Sequence, residues 1–236
     1  MVFTLVRTHQ ENYNITTFWF KPEKPLAYTA GQFIEMYLPH DKPDERGIKH
    51  WFTLSSSPSE ELVSITTKYA GDKTSTFKKT LFSLKIGAKV KIVEPMGDFV
   101  LPKDKSIPLI FVAGGMGITP FHSIIKWLNN ANEKREITLL YTVNAPRDFI
   151  FIDLFKYYGV NLIQMISGAD PDWHGKVGRL SATKILELIG KPDNKLIYVS
   201  GPEPMVETIG KDLHEQGVHS EQLVLDFFPG YREDLK

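Results

Sequence analysis

Over the first hundred residues the apolar positions fall in short runs rich in β-branched and aromatic types, at 2–6, 15–20, 33–38, 51–54, 62–67 and 90–93. Turn-forming residues separate them, among them Lys21-Pro22, Ala30-Gly31, Asp41-Lys42-Pro43 and Ile86-Gly87. Six short strands at this spacing predict an antiparallel barrel or sandwich, interrupted by one helix over 75–84. The pattern then changes. Apolar runs at 109–113, 137–142, 161–166, 196–200 and 223–226 alternate with helical segments at 149–157, 181–189 and 204–216. A further helix follows 109–113, where Phe121, Ile124, Ile125 and Leu128 recur on one face. Thr119 is placed to cap it with Pro120 at its first position, and Gly217 is placed to stop the helix that ends near 216. Strands alternating with helices predict a parallel sheet covered on both faces. Residues 101–108, polar and holding Pro102 and Pro108, read as a linker. The expected organisation is an N-terminal antiparallel β-barrel over 1–103, a C-terminal α/β domain over 104–226 and a tail over 227–236.

Composition narrows the function. In 236 residues, 28 Lys and Arg balance 28 Asp and Glu. That balance is unlike a protein built to neutralise phosphate backbones, so no nucleic-acid partner is expected. With no cysteine, disulfides, thiolate nucleophiles and cysteine-held iron–sulfur centres are excluded. The opening MVFTLVRTHQEN has neither the basic nor the apolar region of a signal peptide. The longest apolar stretch, near 108–121, is too short and too glycine-rich to span a bilayer. No transmembrane segment and a cytoplasmic location are therefore expected. The seven histidines show no two-histidine metal spacing, so no metal is expected, and there is no Gly-x-Ser-x-Gly elbow.

Several segments combine a turn with ligand-binding chemistry. Phe111 to Pro120 reads as strand, glycine turn and helix start, a place where backbone N–H groups meet a pyrophosphate. A tight strand-to-helix turn is the plainer alternative. His50-Trp51-Phe52-Thr53-Leu54-Ser55-Ser56-Ser57-Pro58 puts aromatic rings beside hydroxyls, suited to a flat heteroaromatic ligand, or simply a barrel strand with a serine-rich loop. Lys68 to Phe77 holds a glycine and three hydroxyls ahead of a helix, fit for a phosphate or for ordinary capping by Thr74 or Ser75. Ser200-Gly201-Pro202-Glu203-Pro204-Met205 lies where ligands of parallel sheets bind.

HWFTLSSSP, GDKTSTF, PMGDFVL, GGMGITP and SGPEPMV, in this order and spacing, resemble the ferredoxin–NADP reductase family over almost the whole chain. The resemblance implies an FAD-binding barrel followed by an NAD(P)-binding α/β domain, and hydride transfer between nicotinamide and flavin N5. Electrons then pass to a separate carrier such as ferredoxin or flavodoxin. The family's Arg-x-Tyr-Ser/Thr motif falls on His50, Trp51, Phe52 and Thr53, with the Thr53 hydroxyl expected near flavin N5. His50 replaces an arginine that pairs with the pyrophosphate, and a neutral imidazole is no substitute for a guanidinium. Lys49, Lys68 and Lys73 are candidates for the missing charge, and FMN stands as the alternative to FAD. Thr66, Thr67 and Lys68 match the strand bordering the flavin, and Thr74, Ser75 and Thr76 match the pyrophosphate turn. Gly114, Gly115, Gly117, Ile118 and Thr119 match the nucleotide turn. Ser200, Gly201 and Pro202 match Cys-Gly-Pro, Ser200 taking the place of the cysteine near nicotinamide C4. Thr53 and Ser200 are thus the expected catalytic residues. Phe227, Phe228 or Tyr231 is expected to cover a flavin face. Arg147 and Arg179 are candidates for an NADPH 2′-phosphate, with NADH left open. A free-flavin or ferric reductase, and a non-catalytic electron-transfer subunit, are the alternatives.

Overall fold

The structure, a computed structural model, describes residues 1–227. The chain divides into two compact units, Met1–Val100 and the remainder from Leu101.

The first unit is a six-stranded antiparallel sheet built from β1 (Val2–Gln10), β2 (Ile15–Pro22), β3 (Phe33–Tyr37), β4 (Lys49–Thr53), β5 (Val63–Lys68) and β6 (Lys89–Ile92). Their spatial order is β4-β3-β6-β1-β2-β5. A bridge between Leu54 and Ile65 ties one edge to the other, so the sheet closes as the barrel expected from the run spacing. Closure follows from alternation: Phe3, Leu5, Phe18, Phe20, Ile34 and Met36 point inward and are buried. Helix α1 (Thr76–Ser83) adds Phe77 and Leu81 to that core. Of the two hydroxyls open as its cap, Ser75 fills the role, its Oγ accepting from Lys78 N at 3.1 Å.

The second unit is a six-stranded parallel sheet of order β10-β9-β8-β7-β11-β12. Its strands are β7 (Leu109–Gly114), β8 (Ile137–Val143), β9 (Asn161–Ile166), β10 (Lys176–Val177), β11 (Leu196–Ser200) and β12 (Leu223–Asp226). Every residue of β7 is buried, as a central parallel strand covered on both faces requires. On one face Ile110 and Val112 meet Ile185 of α4 (Ala182–Ile189) and Val206, Ile209 and Leu213 of α5 (Glu203–Glu215). On the other, Phe111 stacks on Phe121 of α2 (Thr119–Asn130), ring centroids 4.6 Å apart.

Three expectations are corrected. The cap of α2 is Ile118, closing a 3₁₀ turn over Gly115–Ile118, and Thr119 instead donates its hydroxyl to Met116 O at 3.0 Å. The helix expected over 149–157 begins only at Ile152, as α3 (Ile152–Tyr158), because Phe151 takes a left-handed conformation, φ 65°, just before it. The two-residue strand β10 was not anticipated, being too short to leave a periodic signal. Among the described residues no helix is long and apolar enough to cross a membrane.

Candidate functional site

In the barrel, β4 carries His50 to Thr53. His50 is buried, its imidazole stacked on Phe77 with centroids 4.1 Å apart. Burial, reinforced by the Lys78 ammonium, drives its pKa down to about 4 against the opposing pull of Asp44. The ring is therefore neutral at physiological pH and carries no charge to a phosphate. Phe52 lies on the same face and joins the core, while Trp51 alternates to the other side, its ring 6.2 Å from Phe33. Thr53 is buried at the end of the strand.

The hydroxyls around it differ in what they have left to offer. Thr66 Oγ1 is held by Thr17 at 2.8 Å and by Ser55 at 2.9 Å. Thr74 Oγ1 accepts from Ala70 N at 2.7 Å. Ser75 is spent on the helix cap. Among the described residues, the Thr53 and Thr67 hydroxyls make no hydrogen bond. They are the ones with capacity for a ligand on strands β4 and β5, whose C-terminal Lys68 is exposed.

Sequence reasoning missed the feature at the start of α1. Asp44 Oδ2 accepts from Thr76 N at 2.9 Å, and Asp44 N donates to Thr76 Oγ1 at 2.9 Å. Arg46 donates to Asp44 Oδ2 at 2.8 Å and to Lys73 O at 3.0 Å. The His40 ring completes the cluster, its Nε2 lying 2.9 Å from Thr76 Oγ1. Burial works against the Asp44 carboxylate, but the Arg46 guanidinium and the backbone N–H groups of Thr76 and Arg46 outweigh it and bring the pKa down to about 2. An internal carboxylate thus stands, beside an arginine, where the resemblance puts a pyrophosphate. The donor set suits a phosphate. Of the lysines considered for that charge, Lys49 is engaged with Glu35 at 3.3 Å. The available signal was an arginine four positions before His50, inside a segment that reads as a plain charged turn.

In the parallel sheet, β7 and β11 are neighbours whose connections run to opposite sides, which makes the gap past their carboxyl ends the switch point. Two turns meet there. Gly115 is left-handed at φ 51°, with open space around it. Gly117 is pressed on the second turn: a Cβ there would overlap the Ser200 carbonyl. A Cβ on Gly114 would overlap Met205, and Gly201 packs close to Gly114. Glycine is thus demanded at 117 by turn-on-turn packing, whereas at 114 the flexible end of Met205 would have to move and Gly115 faces open space. The turn Ser200 to Pro202 leads into α5, with Pro202 as its cap residue.

Ser200 is buried and donates its hydroxyl to Asp226 Oδ2 at 3.1 Å, across the register Ser200↔Asp226 of β11 and β12. Burial raises the Asp226 carboxyl to about 6, the Ser200 hydrogen bond offsetting only part of it. The folded protein therefore binds this proton more tightly than the unfolded chain. Stability from the group is full below the unfolded value of 3.8 and is lost as pH rises through about 6. Asp226→Asn is expected to flatten the melting temperature between those limits and to stabilise the protein near neutrality by about 1–2 kcal/mol, after discounting for partial exposure. Thermal melts of both proteins from pH 4 to 7 check this, and parallel curves would refute it.

Arg147 follows β8 at the rim of a cleft, whereas Arg179 is exposed between β10 and α4 and does not line that cleft. Phe227 packs against the α4 and α5 side of the core. Phe228, Tyr231 and the rest of the expected tail lie outside the described residues. Among the described residues no group of three or more His, Asp or Glu is placed to hold a metal ion.

Comparison with known proteins agrees with this geometry. Residues 111–211 match the oxidoreductase NAD-binding domain. The chain is similar to the glycine betaine monooxygenase reductase subunit of Pseudomonas aeruginosa, 28% identical over 90% of this chain and 60% of the relative. It spans about three-fifths of the length of the curated relatives it matches. Among solved structures, the FAD/NAD-binding domain of nitric oxide dioxygenase from Vibrio cholerae superposes with a TM-score of 0.82 at 23% identity, covering 96% of this chain and 98% of that one. A ferredoxin NADP+ reductase from Neisseria gonorrhoeae gives 0.77 at 16% identity, with 96% and 97% covered. The chain therefore shares the two-part fold of these reductase structures, and its residues 111–211 match an oxidoreductase NAD-binding domain.

Proposed function

We propose that the chain is a flavin-dependent NAD(P)H oxidoreductase that acts as the reductase component of an electron-transfer system. The observation that carries the reading is the switch point. Two interlocked turns, Gly114 to Ile118 and Ser200 to Pro202, sit past the carboxyl ends of β7 and β11, inside the segment that matches an NAD-binding domain. Bound flavin supplies a hydride acceptor that releases electrons one or two at a time. The chain's own residues bind and orient. Gly115 and the start of α2 offer backbone N–H groups to the nucleotide pyrophosphate. Ser200, held by Asp226, borders the nicotinamide. Thr53 and Thr67 offer hydroxyls to the flavin ring, Phe52 and Trp51 lie on the strand beside it, and Arg46 faces its phosphates alongside Thr76. Ferredoxin or flavodoxin is the proposed acceptor.

A second reading has flavin as a substrate that comes and goes. The Asp44 carboxylate at the start of α1 favours it, because a phosphate must displace that group to bind. One experiment serves both. The purified protein is passed through gel filtration, and its visible spectrum is followed after anaerobic addition of NADPH and then NADH. Retained absorbance near 450 nm that bleaches with nicotinamide is expected for a resident flavin. Loss of colour on the column, with nicotinamide oxidation restored by added flavin, supports the second reading. Failure to oxidise either nucleotide with any flavin present refutes both.

A further inference from the structure

Beyond the carboxyl ends of β8 and β9 lies an open cleft of about 530 Å³, set one strand further from the switch point than β7. Asn144 and Arg147 line it from the β8 side, and Gly168, Asp170, Asp172 and Trp173 from the β9 side. The two loops are tied at the back, Gly168 N donating to Asn144 O at 3.0 Å. In a doubly wound sheet whose first strand ends in the pyrophosphate turn, the end of the next strand is where the adenosine ribose arrives. The groups present there decide whether a 2′-phosphate is accepted.

We infer that this cleft selects NADH over NADPH, with Asp170 and Asp172 as the specificity-determining residues. This rests on the function proposed above. The single guanidinium of the lining is set against two carboxylates, and Asp148 adds a third beside Arg147 in the chain. Asp170 is half-buried, its Oδ1 accepting from Asp172 N at 3.0 Å and its carbonyl from Trp173 N at 3.2 Å. The Asp172 N–H holds that carboxylate in the loop on the β9 side of the cleft. A 2′-phosphate brings about −1.5 to −2 charges into that field, whereas a 2′-hydroxyl can donate to a carboxylate. Trp173, its Nε1 donating to Lys176 O at 2.9 Å and its ring 5.6 Å from Phe149, gives the cleft a flat wall that suits adenine. Discrimination here comes from repulsion of the wrong ligand, the more economical route where the two nucleotides differ by one group.

The test is calorimetric titration of the purified protein with NAD+ and with NADP+, which needs no turnover. NAD+ is expected to bind about tenfold more tightly than NADP+, the scale of one screened charge repulsion near a surface. In Asp170→Asn/Asp172→Asn that ratio is expected to fall toward one. Asp172→Asn alone, at an exposed position, is expected to lower it in part. Arg147→Ala is expected to keep the preference for NAD+. Equal or tighter binding of NADP+ by the native protein overturns the inference and leaves the function standing, and collapse of NADP+ binding in Arg147→Ala would identify Arg147 as a phosphate clamp instead. A native preference for NAD+ that the aspartate variants leave unmoved overturns the assignment to Asp170 and Asp172. Binding of neither nucleotide refutes the function and the inference together.

Discussion

Gly117→Ala is expected to destabilise the protein by about 3 kcal/mol and to abolish nucleotide binding. The cause is steric and local. The new Cβ would overlap the carbonyl of Ser200 and crowd Gly201 N, all of it backbone, so no side chain can rotate out of the way. Either the turn after β7 or the turn after β11 must retreat, and both belong to the proposed nucleotide cradle. Forced overpacking of this kind costs roughly 1–3 kcal/mol when side chains yield, and more when they cannot. In a chain of this length that corresponds to a drop of roughly 6–12 °C in melting temperature. Gly115→Ala is the control. It has open space around it and a left-handed φ of 51°, so its cost is conformational strain of about 1 kcal/mol. Thermal melts and NAD+ titrations of both variants check the pair. If Gly117→Ala melts like Gly115→Ala and still binds NAD+, the two turns do not interlock as described.

The same pair shows what the sequence could and could not yield. The glycines were legible as a turn, because strand, glycines and helix start follow one another without a break. The reason for each glycine was not. Gly117 answers to Ser200 and Gly114 to Met205, contacts that span more than eighty residues of chain. Periodicity placed every strand of the barrel and every long strand of the parallel sheet, since alternation and continuous burial leave strong local signatures. It misplaced the start of α3, because nothing in the composition around Phe151 announces a left-handed residue. Asp226 was visible only as an acid near the end of the chain. Its tie to Ser200 depends on β12 pairing parallel to β11 in one particular register. His50 was read as a lost positive charge, and its burial against Phe77 agrees with that. The guanidinium beside α1 escaped notice because Arg46 lies in a loop, and only the folded chain brings that loop to Thr76.

That loop carries the second large effect: Arg46→Ala is expected to weaken FAD binding about ten- to a hundredfold while leaving riboflavin binding within error. Arg46 holds Asp44 and the Lys73 carbonyl at the start of α1, and Asp44 occupies the first free backbone N–H of that helix. A diphosphate arriving there can take over both the Thr76 N–H and the guanidinium. Charge-assisted hydrogen bonds of that type contribute about 1.5–3 kcal/mol each. Riboflavin has no phosphate and cannot draw on them. Asp44→Asn is expected to act in the opposite sense, tightening FAD several-fold, because the anion that a phosphate must displace is gone. Titration of flavin fluorescence with FAD and riboflavin, on the apoprotein forms of the native chain and both variants, measures these shifts without any turnover. The three proteins must first show matched melting temperatures, since Asp44 also braces α1. Should Arg46→Ala weaken both flavins equally, the arginine serves only the fold of the barrel. Should Asp44→Asn weaken FAD, the carboxylate is a support for the bound ligand and not its rival. The stakes reach beyond affinity: under the proposed function, a helix start guarded by its own carboxylate releases flavin more readily than an open one, and the size of the Asp44→Asn effect thereby measures how far this protein lies toward flavin as a substrate.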